Sequence, residues 1–551
     1  MPSSPAGELT QSKARANRLV ARLESVRDYI DADISNRTIS NRLIVVIGLI
    51  ASLLAYLGAS VPSMSRHLWF DELFTYYIAK APSVGQLMQW IRIDMNPPLS
   101  YLLVRWSLHL FGDSEFAVRL PFLIAFLVGS LCFCKLVAER LRPMFGVFAM
   151  LVFWSTPFLY YATEARPYAL IVCFFGIAML AWSRAIRPRR SAGSIIVLCG
   201  AVVGMMFSHY FAPLYLFPFF VAELWRWFES RKFDWLIWAV LVLPCVIPVL
   251  YLLPTHYVVS PGHTGAMGAI PHFQQASFSN AIAFYFYMLD AESSFLLITV
   301  SLALLCGFHI KSAGTRAAAL MTRLEVVFTL SLLAIPLFIN AVLIVEHGKW
   351  FPRYGMPTLL AYGILLAFLV AMFTNLSRLA AIAGCCVLLL YIGGMPALRA
   401  AVKVVKSHRK PLVAEVSEPP LDAIKPNLPL VAASGLTFLE MNKYESPQLV
   451  ARLYYVNDRA LAIRYAHATL FEGGFERLKQ FFPVRANFEE YRKFVLEHPH
   501  FLVIGTPDYY EDWLLRRLLD IHATLNYLGD LDVPYKDKQV YEVTMPPGST
   551  G

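Results

Sequence analysis

Long apolar stretches separated by short polar connections fill the chain between residues 43 and 398. A helix needs about 20 mainly apolar residues to cross a bilayer, so stretches of this length predict membrane spans. We identify eleven of them, at residues 43–61, 119–138, 144–161, 168–186, 194–209, 211–227, 235–254, 293–310, 324–345, 356–375 and 378–397. The pattern therefore predicts an all-α polytopic membrane protein with about 11 transmembrane helices.

The chain is polar on both sides of this block. Residues 1–42 predict an N-terminal tail in the cytoplasm, and residues 43–398 hold the transmembrane domain. Residues 411–551 contain "LPLVAAS" and "HFLVIGT", short apolar pieces typical of strands, and "DYYEDWLLRRLLDIHATL", which is typical of an amphipathic helix. We therefore expect a small soluble α/β domain at the C-terminus.

The connection between the first two spans, residues 62–118, is unusually long and amphipathic. It contains "ELFTYYIAKAPSVGQLMQWI" and "NPPLSYLLVRWSLHLFG", and Pro97 and Pro98 suit the start of a helix. Trp69, Trp90 and Trp106 fit the depth of the lipid headgroups. These features predict helices that lie at the membrane interface.

Basic residues indicate the orientation, because Lys and Arg concentrate in cytoplasmic loops. With the predicted spans, one side receives Lys13, Arg15, Arg18, Arg22, Arg27, Lys135, Arg140, Arg142, Arg184, Arg187, Arg189, Arg190, Arg226, Arg231, Lys232, Lys311, Arg316 and Arg323. We therefore expect the N-terminus in the cytoplasm, with the first loop and the C-terminal domain in the periplasm or an equivalent outer space. A basic run at residues 399–410 departs from this rule.

Composition supports a membrane protein and narrows its partners. The chain is 57% hydrophobic and 16% charged, with a mean hydropathy of +0.53, which excludes an ordinary soluble protein. The net charge of +10 follows from the predicted topology, so it gives no support for nucleic-acid binding. None of the eight cysteines forms a CxxC or Cys/His pattern, and no His/carboxylate pair has ligand spacing, so we expect no bound metal and no cofactor.

Several charged residues stand at the predicted outer ends of the helices. They are Asp71, Glu72, Glu164, Arg166, Glu346, Lys349 and Arg353, and His209 joins them at the same level. Charges at membrane depth are costly unless they face a cavity or a partner, so a shared polar cavity is the simplest explanation. Such a cavity suits an anionic lipid-linked substrate, because cations hold phosphate and a carboxylate accepts a proton from a hydroxyl.

The strings around these charges resemble a known family. "FDE" after the first span, "NPPLSYLL" about 25 residues later, "EARPYAL", "HYF" and "PRY" occur in an order similar to that of the GT-C glycosyltransferases that use polyprenyl-phosphate sugars. The likeness is to the RgtA/B/C/D-like or dolichyl-phosphate-mannose-protein mannosyltransferase-like branch, which includes the lipid A aminoarabinose transferases. It covers roughly residues 43 to 376.

This resemblance implies a GT-C fold and an inverting transfer at the outer face of the cytoplasmic membrane. The sugar would pass from a polyprenyl phosphate to a glycan, glycolipid or protein. The implied catalytic carboxylate is Asp71, with Glu72 as its neighbour or substitute, and the implied phosphate-binding residues are Arg353, Lys349 and Arg166. Further substrate contacts would come from Glu164, His209, Asp94 and Tyr354.

Each of these residues also has a structural interpretation. Asp71 and Glu72 are suited to the first turn of a helix, where acidic groups are favoured. Arg166 and Glu164 make a plausible ion pair, and Asp94 is placed to cap a helix. As a whole, the chain is also compatible with a transporter or flippase of lipid-linked saccharides. Neither repeated halves nor matched helix interruptions, which are common in transporters, are visible in the sequence.

Overall fold

The computed structural model describes residues 38–94, 96–250, 276–288, 321–374, 376–409, 424–466, 482–506, 512–531, 535 and 538–547. These residues form two compact units. The membrane unit is the described part of Met1–Met64, Arg119–Pro248 and Gln274–Val405. The sheet unit is the described part of Ser65–Val118, Val249–Phe273 and Lys406–Gly551, so the first loop belongs to the same unit as the C-terminal α/β region.

The membrane unit is built from helices. They span Thr38–Ser60, Glu115–Arg140, Pro143–Trp154, Tyr168–Ala185, Ala192–Ser208, Ala212–Tyr215, Phe217–Ser230, Trp235–Val242, Phe278–Met288, Arg323–Leu333, Ile335–Val345, Thr358–Phe373 and Arg378–Arg409. Short 3₁₀ turns lie at Val61–Ser63, Pro157–Thr163, Leu243–Cys245 and Pro352–Gly355. Helices thus occupy ten of the predicted spans, and the predicted span 293–310 lies outside the described residues.

Three helices in the described part of the chain are long and apolar enough to cross a membrane: Asn41–Ser63, Glu115–Arg140 and Tyr168–Ala185. The number rises to five if two bent pairs each count as one span. The pair Pro143–Trp154 and Pro157–Thr163 bends by 86°, and the pair Arg323–Leu333 and Ile335–Val345 bends by 48°. A proline follows each break. Its ring prevents the preceding helix from continuing, which explains the bend. The total of eleven spans remains a prediction.

Glycine allows two of these helices to touch through their backbones. A Cβ atom on Gly129 would collide with the carbonyl oxygen of Val172, and one on Gly176 would collide with the carbonyl oxygen of Gly129. Small residues permit such close approach, which favours helix association in lipid. The glycines therefore fix the crossing of helices Glu115–Arg140 and Tyr168–Ala185.

Basic residues of separate connections meet at one end of the membrane unit, which we call the basic end. The ion pairs there join Glu139 with Arg184 and Arg187, Asp234 with Arg190 and Arg226, and Arg140 with Glu325. Glu223 also binds Arg226 and accepts from the indole of Trp182 at 2.7 Å. Basic residues from connections that the sequence analysis assigned to one side thus meet in the described structure, and the orientation of the chain in the membrane stays a prediction.

Three helices of the first loop lie in the sheet unit, at Phe70–Ala79, Val84–Asp94 and Leu99–Phe111. They have 10, 11 and 13 residues, too few to cross a bilayer, as the sequence predicted. The third helix starts after Pro98, which is its N-cap. The capping role considered for Asp94 is therefore wrong, because Asp94 is the last residue of the second helix.

The C-terminal region forms a six-stranded sheet, which confirms the predicted α/β domain. Its strands are β1 Leu430–Ala432, β2 Leu453–Asn457, β3 Asn487–Glu490, β4 His500–Gly505, β5 Thr524–Asp530 and β6 Gln539–Thr544, in the order β3-β2-β1-β4-β6-β5. Strands β1 to β4 are parallel, and β6 pairs antiparallel with both β4 and β5. Helices at Gly435–Tyr444, Pro447–Ala451, Arg459–Ala466, Tyr491–Glu497 and Trp513–Asp520 connect the strands.

The strings "LPLVAAS" and "HFLVIGT" contain β1 and β4, the two neighbouring central strands. Their side chains are almost entirely buried. Phe494, Phe501 and Trp513 pack into the core beside them. An apolar run in the middle of a parallel sheet is expected, because the central strands of such sheets are usually buried on both faces.

Candidate functional site

The predicted site residues fall into both compact units. Asp71, Glu72 and Asp94 belong to the sheet unit, whereas Glu164, Arg166, His209, Lys349, Arg353 and Tyr354 belong to the membrane unit. Within the membrane unit, residues from three separate segments come together around Arg353. We call the group formed by Tyr161, Glu164, Arg166, Tyr168, His209, Arg353 and Tyr354 the arginine cluster.

Asp71 and Glu72 occupy the first turn of helix Phe70–Ala79, which we call the Asp71 helix. Their side chains differ in burial: Asp71 is partly exposed, whereas Glu72 is 0% exposed. Adjacent residues of a helix point about 100° apart, which explains the difference. The expectation that the two carboxylates do not share one task agrees with this geometry.

Glu72 caps the helix that carries it. Its Oε2 accepts a hydrogen bond from the backbone N–H of Trp69, the N-cap residue, at 3.3 Å. A carboxylate three residues after the N-cap that returns to the N-cap N–H is half of a capping box. The buried carboxylate of Glu72 therefore has a structural task, which is the interpretation that the first-turn position favoured.

Arg353 is the centre of the arginine cluster. Its guanidinium carbon lies 5.4 Å from the ring centroid of Tyr168 and 4.7 Å from that of Phe351. Stacking on aromatic rings holds the guanidinium plane, whose N–H donors all point along its edge. A guanidinium fixed in this way is pre-organised to bind two oxygens of one partner, such as a phosphate.

Arg353 is placed by the 3₁₀ turn Pro352–Gly355, which precedes helix Thr358–Phe373. Pro352 begins the turn, and Gly355 ends it against the ring of Phe284, where a Cβ atom would collide. Tyr354 in the same turn is 6% exposed and packs edge-on against Phe211 at 4.7 Å. The string "PRYG" thus directs both the arginine and the tyrosine into the cluster.

His209 lies at the end of helix Ala192–Ser208 and is 2% exposed. Its Nδ1 accepts a hydrogen bond from the backbone N–H of Phe211 at 3.0 Å. The ring lies 5.5 Å from Tyr168, and both Arg166 and Arg353 are within electrostatic range of it. Because Nδ1 is an acceptor in this bond, the neutral ring carries its proton on Nε2 and can donate from there.

Glu164 and Arg166 stand in the short link between the turn Pro157–Thr163 and helix Tyr168–Ala185. Both are buried, at 3% and 7% exposure, and the N–H of Arg166 donates to the carbonyl of Glu164 at 2.7 Å. Tyr161 lies within electrostatic range of Glu164 and Arg353 and packs edge-on against Tyr168 at 5.4 Å. The string "YYATEARPY" thus supplies four members of the cluster.

Three other residues that the sequence analysis selected are Lys349, Asp94 and Glu346. Lys349 is partly exposed and lies in the irregular segment between Val345 and Pro352, four residues before Arg353. Asp94 ends its helix, and its side chain lies outside the described residues. Glu346 is exposed at the C-cap of helix Ile335–Val345.

The tyrosines around Arg353 were missed by the sequence analysis, apart from Tyr354. Tyr161 and Tyr168 flank the charged pair within "YYATEARPY", and Tyr210 follows His209 and stacks on it at 4.6 Å. The sequence contained a signal for these tyrosines, because tyrosine occurs beside each of the charged strings. Tyrosine beside a buried cation provides both a ring face and a hydroxyl.

Two other features of the described structure do not coincide with the predicted residues. A cavity of about 500 Å³ lies at the basic end, where Arg140, Arg187, Glu325 and Trp182 line it. In the sheet unit, Glu489, Glu497 and His498 have ligand atoms within 4.8 Å of one another. Lys493 pairs with both carboxylates, which accounts for their grouping without a metal.

Comparison with known proteins agrees with the sequence motifs. Residues 95–252 match the family model described as "Dolichyl-phosphate-mannose-protein mannosyltransferase". This segment holds "NPPLSYLL", "EARPYAL" and "HYF", and it includes three members of the arginine cluster that the sequence analysis had selected, Glu164, Arg166 and His209. No curated protein matches the sequence.

Two solved structures of ArnT from Cupriavidus metallidurans are similar to the chain. The apo structure has 14% sequence identity, and the structure bound to undecaprenyl phosphate has 13%. Each comparison has a TM-score of 0.48 and covers 90% of this chain and 97% of the ArnT chain. The resemblance that the motifs indicated is confirmed for residues 95–252, which are similar to the dolichyl-phosphate-mannose-protein mannosyltransferase family, and the chain also has helices long and apolar enough to cross a membrane.

Proposed function

We propose that the chain is a membrane glycosyltransferase that moves a sugar from a polyprenyl phosphate to a glycan, glycolipid or protein. The observation that carries this proposal is the arginine cluster, in which a guanidinium stacked on Tyr168 and a second, buried arginine stand among apolar helices. Arginine side chains bind phosphate oxygens through short, charge-assisted hydrogen bonds. A lipid-linked phosphate reaches this depth in the membrane together with its apolar tail.

The roles of the arginines follow from the chemistry of the leaving group. When the bond between the anomeric carbon and the phosphate oxygen breaks, the phosphate leaves with the bonding electrons and gains negative charge. Arg353 and Arg166 would stabilise this charge, and Lys349 would add to it as a point charge. Nε2–H of His209 and the hydroxyl of Tyr354 are donors for the remaining phosphate or sugar oxygens.

We assign the proton transfer to Asp71. The acceptor hydroxyl forms its bond to the anomeric carbon as its proton passes to a carboxylate, so one base and one phosphate leaving group balance the reaction. When the hydroxyl attacks from the face opposite the departing phosphate, the configuration at the anomeric carbon is inverted. Asp71 is the more exposed of the two adjacent carboxylates, and Glu72 is engaged as a helix cap. We therefore assign Glu72 a positioning role, and we keep Glu164 and Asp94 as further substrate contacts.

We infer that this reaction takes place at the outer face of the cytoplasmic membrane. This inference rests on the basic residues that meet at the basic end, because such clusters face the cytoplasm. The proposal requires no metal and no cofactor, since the phosphate is already a good leaving group once its charge is neutralised.

The experiment uses the full-length protein in lipid nanodiscs with a panel of polyprenyl-phosphate sugars. Release of polyprenyl phosphate and formation of a glycosylated acceptor are measured for the wild type and for Arg353→Ala. Turnover by the wild type with a large loss in Arg353→Ala supports the proposal. Transbilayer movement of the lipid-linked sugar in vesicles, with no product from any donor, would replace it with the transporter alternative.

A further inference from the structure

Helix Gly435–Tyr444 of the C-terminal region packs against the first loop within the sheet unit, and we call it the docking helix. It begins at Ser434, whose side chain accepts from the N–H of Thr437, and it ends at Tyr444. Its C-terminal half carries Glu440, Asn442, Lys443 and Tyr444, and each of these side chains contacts the first loop. The docking helix therefore contacts residues at both ends of the Asp71 helix.

Tyr444 holds the segment that leads into the Asp71 helix. Its hydroxyl accepts a hydrogen bond from the N–H of Leu68 at 2.8 Å and donates to the Oε1 of Glu115 at 3.0 Å. Its ring stacks on His67 with a centroid distance of 3.7 Å and an angle of 5° between the planes. His67 in turn approaches the carboxylate of Glu440 at 3.4 Å. Tyr444 is therefore bonded to the backbone of Leu68, which lies three residues before Asp71.

Asn442 holds the other end of the same helix. Its Nδ2 donates to the hydroxyl of Tyr77 at 3.1 Å, while its Oδ1 accepts from the N–H groups of Arg485 and Ala486 at 2.9 and 3.2 Å. Asn442 is 1% exposed, so this amide is a buried polar group with its partners in place. Phe482 completes the contact by stacking on Tyr77 at 5.1 Å.

A cationic contact strengthens this second end. The ammonium of Lys443 lies 3.8 Å from the ring centroid of Tyr76, whose hydroxyl donates to Asp113 at 3.0 Å. Lys80 donates to the same carboxylate at 2.6 Å. Burial lowers the pKa of Lys443, whereas the nearby carboxylates of Asp113 and Glu115 act in the opposite direction and favour its charged form. The docking helix thus contacts two successive tyrosines of the Asp71 helix.

Attachment at both ends restricts the movement of a helix of 10 residues. Asp71 lies between the Leu68 attachment and the Tyr77 attachment, so its backbone has little freedom to tilt or slide. Catalytic groups tolerate little displacement: a shift of about 1 Å in the reacting geometry costs about 100-fold in rate. Residues that fix the helix therefore matter even though they are remote in sequence from the carboxylate.

We propose that Tyr444 and Asn442 of the docking helix are positioning residues for Asp71, so that the C-terminal domain sets the alignment of the proposed base. This inference rests on the proposed function for its kinetic part. Its structural part, the restraint of the Asp71 helix by two side chains of the docking helix, stands independently. The two parts are separated by measuring hydrogen exchange as well as sugar transfer.

The test uses two substitutions that each remove one hydroxyl and keep the ring. Tyr444→Phe loses the bonds to Leu68 and Glu115 while the stack on His67 remains, and Tyr77→Phe loses only the bond from Asn442. Tyr527→Phe is the matched control, because Tyr527 is 55% exposed on β5. All three are made in the full-length protein in nanodiscs, and unfolding midpoints are recorded to verify folding.

We expect faster amide exchange in residues 68–74 for Tyr444→Phe and in residues 74–80 for Tyr77→Phe, with no change for Tyr527→Phe. We expect kcat to fall by about 10- to 100-fold while the KM for the donor stays unchanged, because alignment and not donor binding is lost.

Unchanged exchange in both variants would overturn the docking contact. Faster exchange with unchanged kcat would overturn the positioning role while leaving the proposed function intact. A wild type without transferase activity would instead remove the proposed function and the positioning role together, and the exchange data would then decide the docking contact alone.

Discussion

The side-chain amide of Asn442 donates a hydrogen bond to the hydroxyl of Tyr77, and this 3.1 Å contact joins two helices that are 365 residues apart in sequence. Burial raises the pKa of Tyr77 to about 12, so the phenol remains protonated at neutral pH. The first loop and the C-terminal α/β region are thereby part of one compact unit, although the whole transmembrane block separates them in the chain.

Glu72→Gln and Glu72→Ala distinguish a helix cap from a catalytic carboxylate. A glutamine still accepts the N–H of Trp69, whereas an alanine leaves it without this partner. We expect Glu72→Gln to retain transfer activity and stability, and Glu72→Ala to lose about 1 kcal/mol of unfolding free energy. Thermal unfolding in detergent and steady-state transfer rates measure both effects. Complete loss of activity in a well-folded Glu72→Gln variant would show that this carboxylate is itself chemically required.

Arg353→Ala should weaken donor binding. Charge-assisted hydrogen bonds are worth about 1.5–3 kcal/mol, so the KM for the polyprenyl-phosphate sugar is expected to rise by about 10- to 100-fold. Arg353→Lys keeps the charge but loses the planar fork, and we expect an intermediate effect. Arg189→Ala is the control, because Arg189 is exposed and follows helix Tyr168–Ala185 at its basic end. An unchanged donor KM in Arg353→Ala would remove Arg353 from the phosphate site.

Glu440 should make stability depend on pH. Burial raises its pKa from 4.5 to about 7, opposed by Lys538 and assisted by Glu445. Because the folded state holds the proton more tightly, the stabilisation is present below pH 4.5 and is lost as the pH rises through about 7. Relative to Glu440→Gln, the wild type should therefore lose thermal stability between pH 5 and pH 8. The comparison needs the variant, because buried Asp512 has a pKa raised to about 6 and gives a slope of the same sign. A difference in melting temperature that does not change with pH would contradict this account.

Gly176→Ala should destabilise the membrane unit, because the added Cβ collides with the backbone of Gly129. Overpacking of this kind costs about 1–3 kcal/mol. Gly200→Ala is a matched control in helix Ala192–Ser208, since a Cβ there has no neighbour within 4 Å. We expect a lower unfolding midpoint for Gly176→Ala, and an unchanged or higher one for Gly200→Ala, where alanine improves helix propensity. Equal midpoints for both variants would show that the helices do not cross at these glycines.

The sequence predicted the elements whose cause is local. Apolar length identified the helices at Tyr168–Ala185 and Thr358–Phe373, and alternating apolar pieces identified β1 and β4. Length alone did not reveal the bends of 86° and 48°, although Pro157 and Pro336 mark their positions. Proline disturbs the helix backbone only within its own turn. The two prolines therefore marked the bends, but the apolar stretches around them led to the prediction of continuous spans.

The candidate site was only partly visible from the sequence. Charged residues at helix ends selected Arg166, His209 and Arg353, because an ion in an apolar block is conspicuous. The tyrosine rings around Arg353 resemble any other interfacial aromatics in the sequence. The contacts of Tyr444 and Asn442 depend on pairing across more than 300 residues, and no local pattern encodes such a contact. The role of Glu72 as a helix cap became visible only from the hydrogen bond that its carboxylate accepts in the structure.

The central claim is that Asp71 accepts the proton of the acceptor hydroxyl, and Asp71→Asn tests it most directly. The measurement is single-turnover transfer by the full-length protein in nanodiscs, with a donor that the wild type uses, together with equilibrium binding of that donor. Glu229→Gln serves as the matched carboxylate-to-amide control, because Glu229 is exposed in helix Phe217–Ser230.

We predict that Asp71→Asn lowers the rate of transfer by about 10²- to 10⁴-fold, the usual contribution of a general base, while donor binding stays at the wild-type level. Glu229→Gln should match the wild type in both measurements. Transfer by Asp71→Asn at the wild-type rate would contradict the account.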